Sequence, residues 1–253
     1  MAESVLKTEF VPPPIRFFEA GAAASAADSL LDIDQPGSEF RLIFDGEERQ
    51  LPRQQTHFGF VYDGHAKLVV AERSYPLCQG MYFTAVGSAT LKTNGSVLSV
   101  SQQEHLGLFS LGGPVESEGR LRYIDGCSDT LLIPPLVKGD ACLNFLKIPP
   151  HTNQTSHTHP SFRYGIIVSG AGFCDSPAGS ESLGPGKAFF IPANGPHRFR
   201  TEGEPLSVIA FHPDSDFGPH DDDHPMVNKT IVNGVPAAKL NHQQRGIAVE
   251  EAS

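Results

Sequence analysis

The chain has 253 residues, 39% of them hydrophobic, enough to bury a proper core in one large β domain or two small ones. Its formal net charge of −10 argues against a nucleic-acid partner, which needs clustered Lys and Arg. No apolar run is long enough for a membrane span, and the N-terminal MAESVLKTEF lacks a basic start followed by an apolar core. A cytoplasmic protein is therefore expected. The four cysteines, Cys78, Cys127, Cys142 and Cys174, form no C-x-x-C pair and read as small buried hydrophobes in a reducing compartment. A regulatory or catalytic thiol is the alternative.

Residues 1–39 are expected to be an arm or short helix. The VPPP run at 11–14 excludes regular helix and central strand. The alanine-rich stretch 17–32 has helical propensity, interrupted by Gly21 and stopped by Pro36. From Phe40 the pattern turns to β: RLIFDG, HFGFVYDG, AKLVVAE, GMYFTAVG, SATLKTNG and SVLSVSQ are short, partly alternating, and bounded by Gly, Asp or Asn turn signals.

A crossing at 119–140 leads to a second set: CLNFLKIPP, SFRYGIIVSG, GAGFCDSP, KAFFIPANG, HRFRTEG and PLSVIAFHP. The two sets align loosely, as in HFGFVYDGHAKLVV with RYGIIVSGAGF, which points to internal duplication. The expected architecture is all-β: two antiparallel barrels in tandem at 40–118 and 141–213, with few short helices. Residues 214–253 begin with Asp214, Asp216, Asp221, Asp222 and Asp223 beside His220 and His224. Without a glycine and terminal glutamate in EF-hand spacing, a solvated acidic loop is favoured over a calcium or second metal site. VNKTIVNGVPAA reads as a short hairpin or packing arm.

The chemistry concentrates at 151–200. His157 and His159 are two residues apart and share one face of a strand. GKAFFIPANGPHRFR delivers His197 after an apolar strand and a turn. Three imidazoles facing one point make a metal-site geometry.

These residues resemble the two motifs of the cupin superfamily. In the first, His157, His159 and Gly170 match, His151 stands at the first glycine, and Arg163 stands at the glutamate. In the second, Gly186, Pro192 and His197 match, while Asn194 replaces a glycine and Thr201 an asparagine. With the duplicated strands, the chain resembles a bicupin of two jelly-roll barrels. The resemblance implies a ligand set of His157, His159 and His197 without the usual carboxylate, and a homodimer. In the N-terminal half His57 takes the glutamate position and no His-x-His precedes it, so that half is expected to be structural.

Three neutral imidazoles suit one divalent transition metal: Fe²⁺ is favoured, with Zn²⁺, Mn²⁺ and Ni²⁺ open. They leave the full +2 charge on the ion, which attracts a small anionic substrate. Arg163 either points inward to fork a substrate carboxylate, or turns outward or pairs with a buried acid. Gln154 is a candidate donor orienting a ligand, and His151 a candidate fourth ligand. Strand parity points Tyr164 away from the metal and sets Arg198 and Arg200 on the face opposite His197. Phe162, Phe173, Phe189, Phe190 and Phe199 read as core, with any inward-facing ones lining an apolar pocket.

Three functions follow. The first is a mononuclear non-haem iron oxygenase of the dioxygenase kind, acting on a small carboxylate. The second is a redox-neutral Zn, Mn or Ni hydrolase, lyase or isomerase. The third is a ligand-binding module without turnover.

Overall fold

Strands with both faces buried read as near-continuous apolar runs, and this chain has several because two barrels press sheet against sheet. The structure, a computed structural model, describes residues 13–19, 37–43, 46–137, 139–214, 231–232 and 235–236. Strand β1 is Arg16–Glu19. The N-terminal barrel holds β2 (Ser38–Ile43), β3 (Glu48–Leu51), β4 (Gln55–Asp63), β5 (His65–Val70), β6 (Arg73–Cys78), β7 (Tyr82–Val86), β8 (Ala89–Thr93), β9 (Ser96–Gln103) and β10 (Ser110–Gly112). The C-terminal barrel holds β11 (Leu121–Arg122), β12 (Ser128–Ile133), β13 (Cys142–Ile148), β14 (Arg163–Gly170), β15 (Gly172–Ser176), β16 (Gly179–Leu183), β17 (Lys187–Ile191), β18 (Arg198–Arg200) and β19 (Leu206–His212). A hairpin of β20 (Ile231–Val232) and β21 (Val235–Pro236) forms separately, as VNKTIVNGVPAA suggests.

The N-terminal barrel pairs a five-stranded sheet, β10-β7-β4-β9-β2, with a four-stranded one, β3-β8-β5-β6. The C-terminal barrel pairs a seven-stranded sheet, β1-β17-β14-β19-β13-β12-β11, with a three-stranded one, β16-β15-β18. Side-chain alternation sorts three cores. Val61, Phe83, Leu91 and Val97 fill the first barrel. Ile167, Phe189, Ile191, Phe199 and Val208 fill the second. Between them, Phe40, Phe58, Phe60 and Val100 meet Tyr164, Ile166, Phe190, Ile209 and Phe211. Phe190 and Phe189, or Phe211 and Val208, thus serve opposite faces of one strand.

Two segments become more definite. The stretch read as a short helix or extended arm begins as extended strand: β1 pairs with β17, Phe17 opposite Phe189, because its two phenylalanines pack on the second core and the inter-barrel core. The rest of that stretch lies outside the described residues, as does the Asp/His run beyond Asp214. The crossing at 119–140 is also not free chain, since β11 and β12 add to the edge of the C-terminal sheet beside β13. Among the described residues the one helical element is a 3-10 turn at Ile124–Gly126, and no helix is long and apolar enough to cross a membrane.

Candidate metal centre

His157 and His159 do not lie on a regular strand. They sit on an irregular approach to β14, and an isolated antiparallel bridge fixes them. The His157 amide donates to the His197 carbonyl at 2.9 Å, and the His197 amide donates back at 3.0 Å. The Asn194 amide donates to the His159 carbonyl at 2.7 Å, so the turn before His197 clamps the His-x-His segment. That turn explains a departure from the motif: Asn194 has φ 58, the left-handed backbone that glycine adopts freely and asparagine tolerates. His151, at the other glycine position, has φ 59. It is exposed, donates its amide to Glu202, and does not line the site, so it is not a fourth ligand here.

The three imidazoles do converge. Each offers a ligand atom within 4.8 Å of the others, and their ring centroids stand 4.5 to 5.2 Å apart. A carbonyl can only accept, so the ring nitrogens facing one must carry protons. Nδ1 of His157 donates to Thr155 at 2.8 Å, and Nδ1 of His197 donates to Gly195 at 2.9 Å. This leaves Nε2 of both rings as the acceptor that a metal needs. Burial pushes the His159 pKa down to about 3, helped by the positive Arg163 and the neighbouring imidazoles. Burial also lowers His197 to about 4, against a small upward pull from its bond to Gly195. Both are neutral at neutral pH, the form that ligates.

The site opens onto a cavity of about 50 Å³ lined by Arg163, Gln154, Tyr123, His212 and a floor of Leu146, Phe189, Ile191, Phe199 and Val208. Arg163 lines it and is also held. Nη1 donates to the Phe162 carbonyl at 2.8 Å and to the Ser161 hydroxyl, and it lies 3.7 Å from the Asp214 carboxylate. Both orientations weighed for this residue are partly realised: it faces the site, and an acid partners it. Gln154 is buried, but its partners are not the metal-facing rings. Its Oε1 accepts from the Phe199 amide at 3.1 Å and its Nε2 reaches the Cys127 sulfur at 3.3 Å, so it braces the wall. Backbone carbonyls orient the histidines in its place.

Tyr164 points away as parity requires, stacking on Phe40 with ring centroids 4.6 Å apart. Arg198 and Arg200 pair with Asp175 outside the site, and Arg200 lies 3.9 Å over Phe173. None of the four cysteines forms a disulfide; three are buried and Cys78 is half-buried. His57 is sealed in the N-terminal barrel. Its Nε2 donates to the Pro52 and Gly87 carbonyls and its Nδ1 accepts from Ser101, which leaves no nitrogen for a metal. Sequence reasoning missed His212. Parity along β19 was the available signal, since Val208, Ala210 and His212 line the cavity while Ile209 and Phe211 enter the inter-barrel core.

A cupin-domain family profile matches residues 144–212. This segment is a cupin domain. It contains β14 to β19, most of β13, and all three histidines. No curated protein matches the chain. Among solved structures, the Cupin 2 conserved barrel domain protein from Leptotrichia buccalis is 12% identical, with 79% of this chain and 89% of that one covered and a TM-score of 0.57. The putative glyoxylate induced protein from Pseudomonas aeruginosa is 10% identical, covering 83% and 84%, with a TM-score of 0.58. A single-site mutant of the salicylate 1,2-dioxygenase from Pseudoaminobacter salicylatoxidans is 12% identical, covering 70% and 72%, with a TM-score of 0.54. At these identities the likeness shows the cupin fold. Both barrels share it: Gly59 and Gly165, Gly64 and Gly170, Gly80 and Gly186, and Phe83 and Phe189 all stand 106 positions apart. A side chain on Gly59 would strike the Phe83 ring, and one on Gly165 would strike the Phe189 ring, so the same close packing occurs twice.

Proposed function

We propose that the cupin domain is a mononuclear metal oxygenase, iron-dependent, acting on a small carboxylate-bearing molecule. The observation that carries this is a triad of converging imidazoles with Arg163, a cation, in the cavity wall at the position the motif gives to a carboxylate ligand. His157, His159 and His197 would hold the ion, which supplies dioxygen activation when bound. The chain's own residues supply the rest. The Arg163 guanidinium forks the substrate carboxylate, and a substrate anion takes over from Asp214. Phe189, Ile191, Phe199 and Val208 make a dry floor that strengthens this attraction. The small cavity favours a substrate of few heavy atoms. The barrel architecture shared with the salicylate 1,2-dioxygenase is compatible with such chemistry.

The same imidazoles equally suit zinc, so a redox-neutral hydrolase, lyase or isomerase is the second reading. Metal analysis of untagged protein purified without added metal separates the two. Iron, with oxygen uptake on a small carboxylate after anaerobic Fe²⁺ loading, supports the oxygenase. One zinc per chain without oxygen dependence moves the assignment to the second. Replacing His157 and His159 together by Ala is expected to abolish metal retention and turnover while circular dichroism stays unchanged, because the cores are apolar strands.

A further inference from the structure

His212 is a polar group of the cavity wall whose role the metal centre does not explain. It closes β19, where alternation turns it inward with Val208 and Ala210. The antiparallel register of β14 with β19 ends at Tyr164 opposite Phe211. Continued by one residue, that register sets Arg163 beside His212 on the same inner face. The His212 ring stands 6.4 Å from that of His159, its one histidine ring neighbour among the described residues, whereas the triad rings are 4.5 to 5.2 Å apart. It therefore stands off from the point the triad shares.

No hydrogen bond to either His212 ring nitrogen occurs among the described residues. His157 and His197, by contrast, each have one nitrogen tied to a carbonyl. A neutral imidazole so placed offers one donor and one acceptor to whatever enters. Burial, and Arg163 beside it, keep its pKa well below the ordinary value, so the wall presents one cation and one neutral group.

We propose that His212 is a substrate-binding residue that hydrogen-bonds a hydroxyl or carbonyl on the carbon next to the carboxylate held by Arg163, which makes the substrate class small 2-hydroxy- or 2-oxo-carboxylates. This rests on the carboxylate reading above. It assigns the two neighbouring wall residues to the two neighbouring functional groups of one small molecule. A neutral hydrogen bond of this kind gives about a tenfold preference.

The test is titration calorimetry with lactate, pyruvate and propionate, which share three carbons and differ at the second. Protein is used as purified and after chelation, so that binding of a 2-substituent by the metal is removed. Chelated wild type is expected to bind lactate or pyruvate about tenfold more tightly than propionate. His212→Phe should erase that preference and leave propionate affinity unchanged, while His212→Asn, which keeps a donor and an acceptor, should retain part of it. Equal melting temperatures show that the comparison is between folded proteins. A preference that survives in chelated His212→Phe overturns the inference, as does wild type that binds none of the three. Loss of metal from both His212 variants also overturns it, because the residue is then a ligand. Arg163→Gln separates the two levels: propionate affinity unchanged in that variant overturns the carboxylate reading itself, whatever His212 does.

Discussion

Asp129 lies inside the C-terminal barrel, 3% exposed, with its carboxylate accepting from the Asn144 amide at 2.8 Å. Burial outweighs that bond and raises its pKa to about 6. Between its unfolded value near 4 and 6, the folded chain holds a proton that the unfolded chain has released, so stability falls as pH rises through this window and stays lower above it. The cost at pH 7 is at most about 3 kcal/mol. Asp129→Asn should flatten the decline between pH 4 and 6 and be the more stable protein at pH 7, as read from denaturant midpoints at several pH values. An unaltered slope would mean that the carboxylate ionises as freely folded as unfolded. Asp129 gave no signal in sequence, because burial of one acid among many depends on which strands become neighbours. The triad was legible for another reason: His157, His159 and His197 match ligand positions of the two motifs that the sequence resembles, although His157 and His159 precede β14 and do not share a strand face. Gln154 and His212 exchanged importance, since the former's amide is used up by Phe199 and Cys127 while the latter opens on the cavity.

Among the elements, strand boundaries were readable wherever glycine punctuated an apolar run, and the β14–β15 hairpin shows why. Gly170 has φ 83, and a Cβ there would run into the Pro205 carbonyl oxygen, far inside van der Waals contact. Gly46 has a similar φ of 75 but nothing within 4 Å. Gly170→Ala should therefore cost on the order of 3 kcal/mol, from strain plus overpacking, and Gly46→Ala only about 1 kcal/mol from strain. Urea unfolding of the two variants separates the contributions. The β1 strand was not readable, because its pairing with β17 is a contact across most of the chain and its alanine-rich continuation suggested helix. Nor was the end of β19, where Asp214 meets Arg163 two residues past His212. That contact competes with any substrate carboxylate. Asp214→Asn is expected to tighten acetate binding severalfold, measured by calorimetry at low salt, because the guanidinium loses its internal anion. Unchanged affinity would show that Asp214 does not screen the cation.

For the whole molecule, the shared core between the barrels decides whether they behave as one unit. Phe58 and Phe211 approach with ring centroids 5.1 Å apart, Phe40 stacks on Tyr164, and Ile209 and Phe190 fill the space around them. Neither facing sheet can be exposed without uncovering these aromatics, and β1 ties the chain ahead of the first barrel into the sheet of the second. Phe211 is fully buried, so truncation leaves a cavity and should cost about 3 to 5 kcal/mol. If the barrels unfold together, Phe211→Ala lowers protection equally at two reporters far from the substitution. One is the amide of Leu68, inside the N-terminal barrel, and the other is that of Ile148, inside the C-terminal one. Native-state hydrogen exchange reads both in one sample. Equal losses establish a single cooperative unit, in which a defect anywhere in the N-terminal barrel weakens the C-terminal one. A loss confined to Ile148 would make the N-terminal barrel an independent domain, and the shared core an interface between two separately stable bodies.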